Sequence, residues 1–380
     1  LLYVDAVSAP HRRGGRHFYT RTHADREKPV YYWRGDDDIE HVLIDPNALS
    51  NDGSLSVGLV VPSWDGLLAA YSLHKNNADE ATLYVMTVAD QTTSEVDVIE
   101  GAKYAYPVWT PDGSGFYYTF LPTDPSIPVD ERPGWADIRF HRIGTSASDD
   151  VVVHDKLGDP TQFVGVDLSR DGRWLFFYVQ HGWTATDIYL RDLGAAATEW
   201  QPFVVGREAQ YNVTAHQDRF FIHTNDGAPN WRVLDTPAGA FAPDTWRELV
   251  PERSDAVLEG AQLVGGQLVL SYLEKASSRL QVRDLEGQFV RDVELPGIGT
   301  CSGITGLPED DEAYFSFQSF TVAPQIYKTS ISSGHTELWA AITVPFDPAP
   351  YTVEQLDFPS LDGTPLTAFV VRRSDLAFDG

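Results

Sequence analysis

The chain is 380 residues long and carries 28 lysines and arginines against 55 aspartates and glutamates, a formal net charge of −27 at pH 7. That balance argues against nucleic acid and anionic lipid as partners, since both need clustered cations; the sequence also has no run of about 18 apolar residues for a membrane span and no signal-peptide order at its start. Aromatic residues make up 12% and helical periodicity is sparse, so the core is expected between sheets.

In chain order, residues 1–10 read as an entry segment with a weak strand at 4–9, and residues 12–15 as a polar turn. Residues 18–19, 30–33 and 42–44 then read as short strands of a first sheet. A second carries Asp65-Gly66, with strands at 83–86 and 96–99. A third opens on residues 108–120, a hairpin turning at Asp112-Gly113, and holds the longest insertion, residues 121–135, rich in Pro and Asp. A fourth runs from Phe163 through Asp171-Gly172 to residues 203–205. Glycine tolerates the positive φ of such turns and aspartate bonds its own backbone there.

The Asp-Gly pairs lie 47 and 59 residues apart, the period of a small four-stranded antiparallel sheet. Beyond the fourth unit the signature fades but the strand rhythm continues, at 220–222, 231–233 and 246–250, at 268–270, 280–282 and 289–295, and at 314–317, 325–327 and 337–339. The count is seven, the fold class all-β, and the architecture a seven-bladed propeller. Both ends hold complete blades, so no strand is expected to lace the ring closed. Domain bounds are set at 1–10 for the entry, 11–350 for the propeller and 351–380 for an exit segment containing a strand pair. A start on Leu rather than Met and a stop after this pair read as a piece of a longer or processed protein.

The chemistry is sparse. The G-x-S-x-G of α/β-hydrolases, H-E-x-x-H, the phosphate loop and paired C-x-x-C are all missing from the sequence. No cofactor or metal is called for: Asp36-Asp37-Asp38 and the acidic run 309–312 read as solvated loops. His41, His154, His181, His216 and His223 are scattered singly, and Cys301 reads as a small core residue that implies no oxidising compartment. Between cytoplasm and periplasm the sequence does not choose.

Three stretches are specific: VLIDPNALSNDG at 42–53, LPTDPSIPVDERPG at 121–134 and SFTVAPQIY at 319–327. With Trp64-Asp65-Gly66, Trp109-Thr-Pro-Asp-Gly113 and Leu168-Ser-Arg-Asp-Gly172, the chain resembles the propeller of the prolyl oligopeptidase family, bacterial type. The resemblance implies an unlaced seven-bladed ring capping an α/β-hydrolase peptidase domain of the same protein, which cleaves short peptides after proline. Residues 361–371 resemble the strand entering that domain, and 380 residues stop short of the Ser-Asp-His triad, so this chain alone is expected to be inactive. The resemblance also places Tyr104, Phe163 and Trp183 in the lining of the substrate pocket. Strand direction agrees, because all three fall at the end of the ring away from the Asp-Gly turns. Two other readings stand beside this one: a stand-alone propeller binding a peptide or protein, and a propeller enzyme with paired carboxylates in its channel.

Overall fold

The structure is a computed structural model that describes residues 5–76, 78–196, 199–342, 344 and 347–377. Seven antiparallel sheets follow one another at residues 6–44, 55–99, 108–154, 162–204, 211–250, 256–293 and 300–341. Within each sheet the strands lie in sequence order, so each blade is a meander with its first strand innermost. Among the described residues the only helices are four short 3₁₀ turns.

The first blade departs from expectation in one respect. Its innermost position is filled by two short strands, Ala6–Val7 and His11–Arg13, both paired with Arg16–Thr22. Residues 12 and 13, expected in a polar turn, are therefore strand. Only Gly14 and Gly15 turn, at φ +53° and +78°. Pro10 splits the strand because it offers no N–H to the ladder. The weak strand expected at 4–9 is the Ala6–Val7 piece, and Val4 lies outside the described residues.

The Asp-Gly turns share one construction. The Ser63 hydroxyl donates to Asp65 at 2.6 Å and the Leu67 N–H at 3.0 Å. Thr110 and Ser114 repeat both bonds on Asp112 at 2.7 and 3.0 Å, and Ser169 and Arg173 repeat them on Asp171. The turns also nest: a Cβ on Gly172 would meet Pro111 of the preceding turn at 2.9 Å, whereas one on Gly113 would meet nothing nearer than 3.7 Å. Both glycines hold positive φ, +75° and +69°. Gly113→Ala is thus expected to cost about 1 kcal/mol from backbone strain alone, and Gly172→Ala clearly more. Urea unfolding of the two variants checks this, and equal losses would refute the nesting. Blades five and six turn at the same place through shorter, two-residue pairs, Gln217-Asp218 and Gly265-Gly266, in which both residues hold positive φ, which is why the motif fades while the fold does not.

The core lies between blades. Trp174, Phe176, Phe203, Tyr211 and Phe220 fill the seam of blades four and five, and Leu83, Ile99, Trp109, Phe116 and Tyr118 that of blades two and three. Sunk in the latter is His141, fully buried. Its Nδ1 lies 2.7 Å from Asp150 and its Nε2 2.9 Å from Asp97 of the neighbouring blade. Tyr118 donates to Asp150 at 2.7 Å, and the Gly144 N–H to Asp97 at 2.6 Å.

Among the described residues no strand laces the ring, as the sequence led one to expect: residues 6–13 pair only within the first blade. Side chains close the seam of blades one and seven. Across it His17 contacts Glu312 at 2.8 Å and the Tyr314 hydroxyl at 2.9 Å, while Tyr314 and Lys328, within blade seven, each hold Glu312 at 2.6 Å. Arg12 pairs with Asp310 at 2.7 Å, the Thr305 hydroxyl donates to the Pro10 carbonyl at 3.1 Å, and Tyr19 meets Trp339 edge-on.

Candidate functional site

Each inner strand starts at the ring end opposite the Asp-Gly turns, and the loops joining second to third strands lie at that same end. This open face carries several exposed apolar side chains, while others, Leu67 and Ile39 among them, lie at the Asp-Gly end. Trp183 is 93% exposed, Phe320 68% and Val129 66%. The strand pair Tyr351–Pro359 and Pro365–Arg373 is seated there as well. Its Phe369 packs on Phe320 with ring centroids 5.3 Å apart, and Asp357 pairs with Lys275.

The three pocket candidates all lie on this face. Tyr104, in the link between blades two and three, and Phe163, at the start of the inner strand Gln162–Leu168, meet edge to face at 5.9 Å. Lys103 reaches over the Tyr104 ring and pairs with Asp79 at 3.0 Å. Trp183 stands apart on the tight turn after Trp174–His181. Gly182 at φ +59° makes that turn possible, and the Gln210 side chain holds the Trp183 carbonyl. No described ring packs on the Trp183 indole. Insertion 121–135 lies beside Tyr104, its Gly134 carbonyl accepting from the Gly158 N–H at 2.8 Å and its Trp135 covered by the Lys156 ammonium at 3.6 Å.

The opposite mouth of the channel is built differently. Trp64 lies between the guanidinium groups of Arg13 and Arg170, each 4.2 Å from its ring. Arg170 reaches Glu309 through two bonds of 2.7 and 2.9 Å, so side chains of blades one, two, four and seven converge here. Sequence reasoning noted Trp64 only as part of a turn and missed the convergence, whose members are up to 139 residues apart.

Four of the scattered histidines are held by local partners. His41 and His154 stack on Trp33 and Phe177, His223 on Trp231, and His181 pairs with Asp187 at 2.9 Å. Cys301 is buried and its thiol is pushed up to about 12 by that burial, far from a reactive thiolate. Among the described residues no three His, Cys, Asp or Glu are placed to hold a metal ion. The acidic run 309–312 is used for ion pairs, with Arg170, Arg12 and Lys328.

Comparison with known proteins places this architecture. Residues 1–341 match the family described as prolyl oligopeptidase, N-terminal beta-propeller domain. The prolyl endopeptidase of Elizabethkingia miricola is 27% identical across 99% of this chain, which spans 53% of that relative. The dipeptidyl aminopeptidase BI of Pseudoxanthomonas mexicana is likewise 27% identical across 99%, with 54% of its own length covered. A solved structure from a study of two prolyl endopeptidases and their inter-domain dynamics superposes with a TM-score of 0.91 at 50% identity, covering the whole of this chain and 56% of that one. The chain thus spans about half the length of the relatives it matches.

Proposed function

This chain belongs to the prolyl oligopeptidase N-terminal β-propeller family, and we propose that it is the non-catalytic, substrate-gating part of a serine peptidase that cleaves short peptides after proline. The observation that carries the reading is the coincidence, on one face, of the exposed Trp183 and Phe320 with the strand pair 351–373, which packs on Phe320 and pairs with Lys275. On this reading a peptidase domain of the same protein covers that face and the ring walls its active site. A folded protein is too wide for the enclosed space, whereas a short, flexible peptide enters. Tyr104 and Phe163 form one wall of the substrate pocket, and Trp183 reaches toward the substrate from a second blade.

The test joins the chain to a family peptidase domain in one polypeptide and compares wild type with Trp183→Ala on peptides varied two and three residues upstream of the scissile proline. Loss of an aromatic contact worth roughly 1.4 kcal/mol corresponds to about a tenfold fall in kcat/KM for the preferred peptides. Unchanged selectivity would remove Trp183 from the pocket. The chain alone is expected to leave a proline-containing chromogenic peptide intact, and turnover by it would overturn the non-catalytic assignment.

A further inference from the structure

Toward the Asp-Gly turns the channel widens into a cavity of about 350 Å³, lined by inner strands of blades one, four, five, six and seven and by Trp64. That volume sits at the low end of the range for small-ligand pockets, about 300–1,000 Å³. Its charges are unevenly matched. Arg12 and Arg170 are paired, with Asp310 and Glu309. Arg13 is not: its one side-chain hydrogen bond runs from Nη1 to the Arg12 carbonyl at 2.8 Å, and its flat face lies on Trp64. A guanidinium has five N–H donors, so most of the Arg13 edge is unclaimed.

Asp167, which lines the same cavity, receives only the Leu168 N–H at 2.8 Å. Among the described residues no cation pairs with it, and no ion pair joins it to Arg13. The protein crowded around each group lowers the Arg13 pKa, against the opposing pull of Tyr106 and Glu309, and pushes the Asp167 carboxyl up to about 6, although Asp167 stays open to the channel. Among the described residues neither group has a directly bonded counter-charge, so desolvation prevails at both. A simple anion would be repelled by Asp167 and a simple cation by Arg13; a ligand carrying both charges satisfies both. The same cavity is lined by apolar residues, among them Val213, Leu263 and Ile304, and by the polar Thr214 and Gln262.

We propose that this cavity binds a small zwitterion of the α-amino-acid or dipeptide class, Arg13 receiving the carboxylate and Asp167 the ammonium group. The site lies at the ring end away from the pocket aromatics and does not rest on the gating reading, since it needs no peptidase domain.

Calorimetric titration of this chain with Ala-Pro, N-acetyl-Ala-Pro, Ala-Pro-amide and the doubly blocked dipeptide tests it. A charge-assisted hydrogen bond is worth about 1.5–3 kcal/mol, so each single block is expected to weaken binding about tenfold or more. Arg13→Gln should abolish discrimination between free acid and amide while keeping that between free and acetylated amine; Asp167→Asn should do the reverse. Loss confined to one end of the ligand is something misfolding does not imitate. Equal binding of all four compounds, or no saturable binding of Ala-Pro, overturns the proposal.

Discussion

Replacing His141 by alanine is expected to destabilise the propeller by about 3–5 kcal/mol, the penalty for stripping a buried ion cluster of one member. The substitution leaves Asp97 and Asp150 facing a cavity from two blades, with side chains 4% and 0% exposed. Both ring nitrogens of His141 sit within hydrogen-bond reach of a carboxylate, an arrangement that calls for a proton on each. Burial opposes that charge, but the bonds to Asp150 and Asp97 outweigh it and raise the pKa above 6.5. Arg139, Tyr118 and the neighbouring carboxylates complete the charged surroundings.

The sign of the pH dependence follows. A histidine whose folded pKa lies above its unfolded value binds its proton more tightly when folded. Its contribution is fully present below about pH 6.5, the unfolded value, and is lost as the pH rises through the folded pKa. Urea unfolding at pH 6 and at successively higher pH should show wild type losing more stability than His141→Ala does. Parallel curves for the two proteins would mean that His141 is neutral in the folded state.

Much of this fold was legible because its repeat is written in local chemistry. Asp65-Gly66, Asp112-Gly113 and Asp171-Gly172 each fix a turn within six residues, so their pattern survives in one dimension. Strand alternation carried the count through the later blades, where the positive-φ pairs are Gln217-Asp218 and Gly265-Gly266. His11–Arg13 escaped notice because a three-residue strand beside Pro10 and a Gly-Gly turn looks like loop. Tyr104, Phe163 and Trp183 were placed on one face by strand direction, but which of them touch was not readable: two meet and the third stands alone. His141 and Asp97 are 44 residues apart and Arg170 and Glu309 are 139 apart. Contacts made by ring closure leave no local pattern, so a buried ionic knot and a stacked tryptophan look like ordinary strand and turn residues.

The ring closure itself supplies the second large effect. Glu312→Gln is expected to cost about 2–3 kcal/mol, because charge-assisted bonds to Lys328, His17 and Tyr314 are weakened together. The His17 contact, together with those from Lys328 and Tyr314, holds the Glu312 carboxyl well below the usual range against the opposing effect of burial. A depressed folded pKa contributes stability that is present above the unfolded value, near 4.3 for a glutamate, and is lost as the pH falls through the folded pKa. Acid therefore loosens this seam, whereas alkali loosens the one held by His141. Since no strand among the described residues crosses between blades one and seven, separating them there breaks contacts made by side chains, and the damage should stay local. Hydrogen exchange of Glu312→Gln should show faster exchange in Arg16–Thr22 and Glu312–Gln318 than in the inner strands of blades three to five. A uniform loss of protection around all seven blades would show that the unlaced seam is no weaker than the rest of the ring.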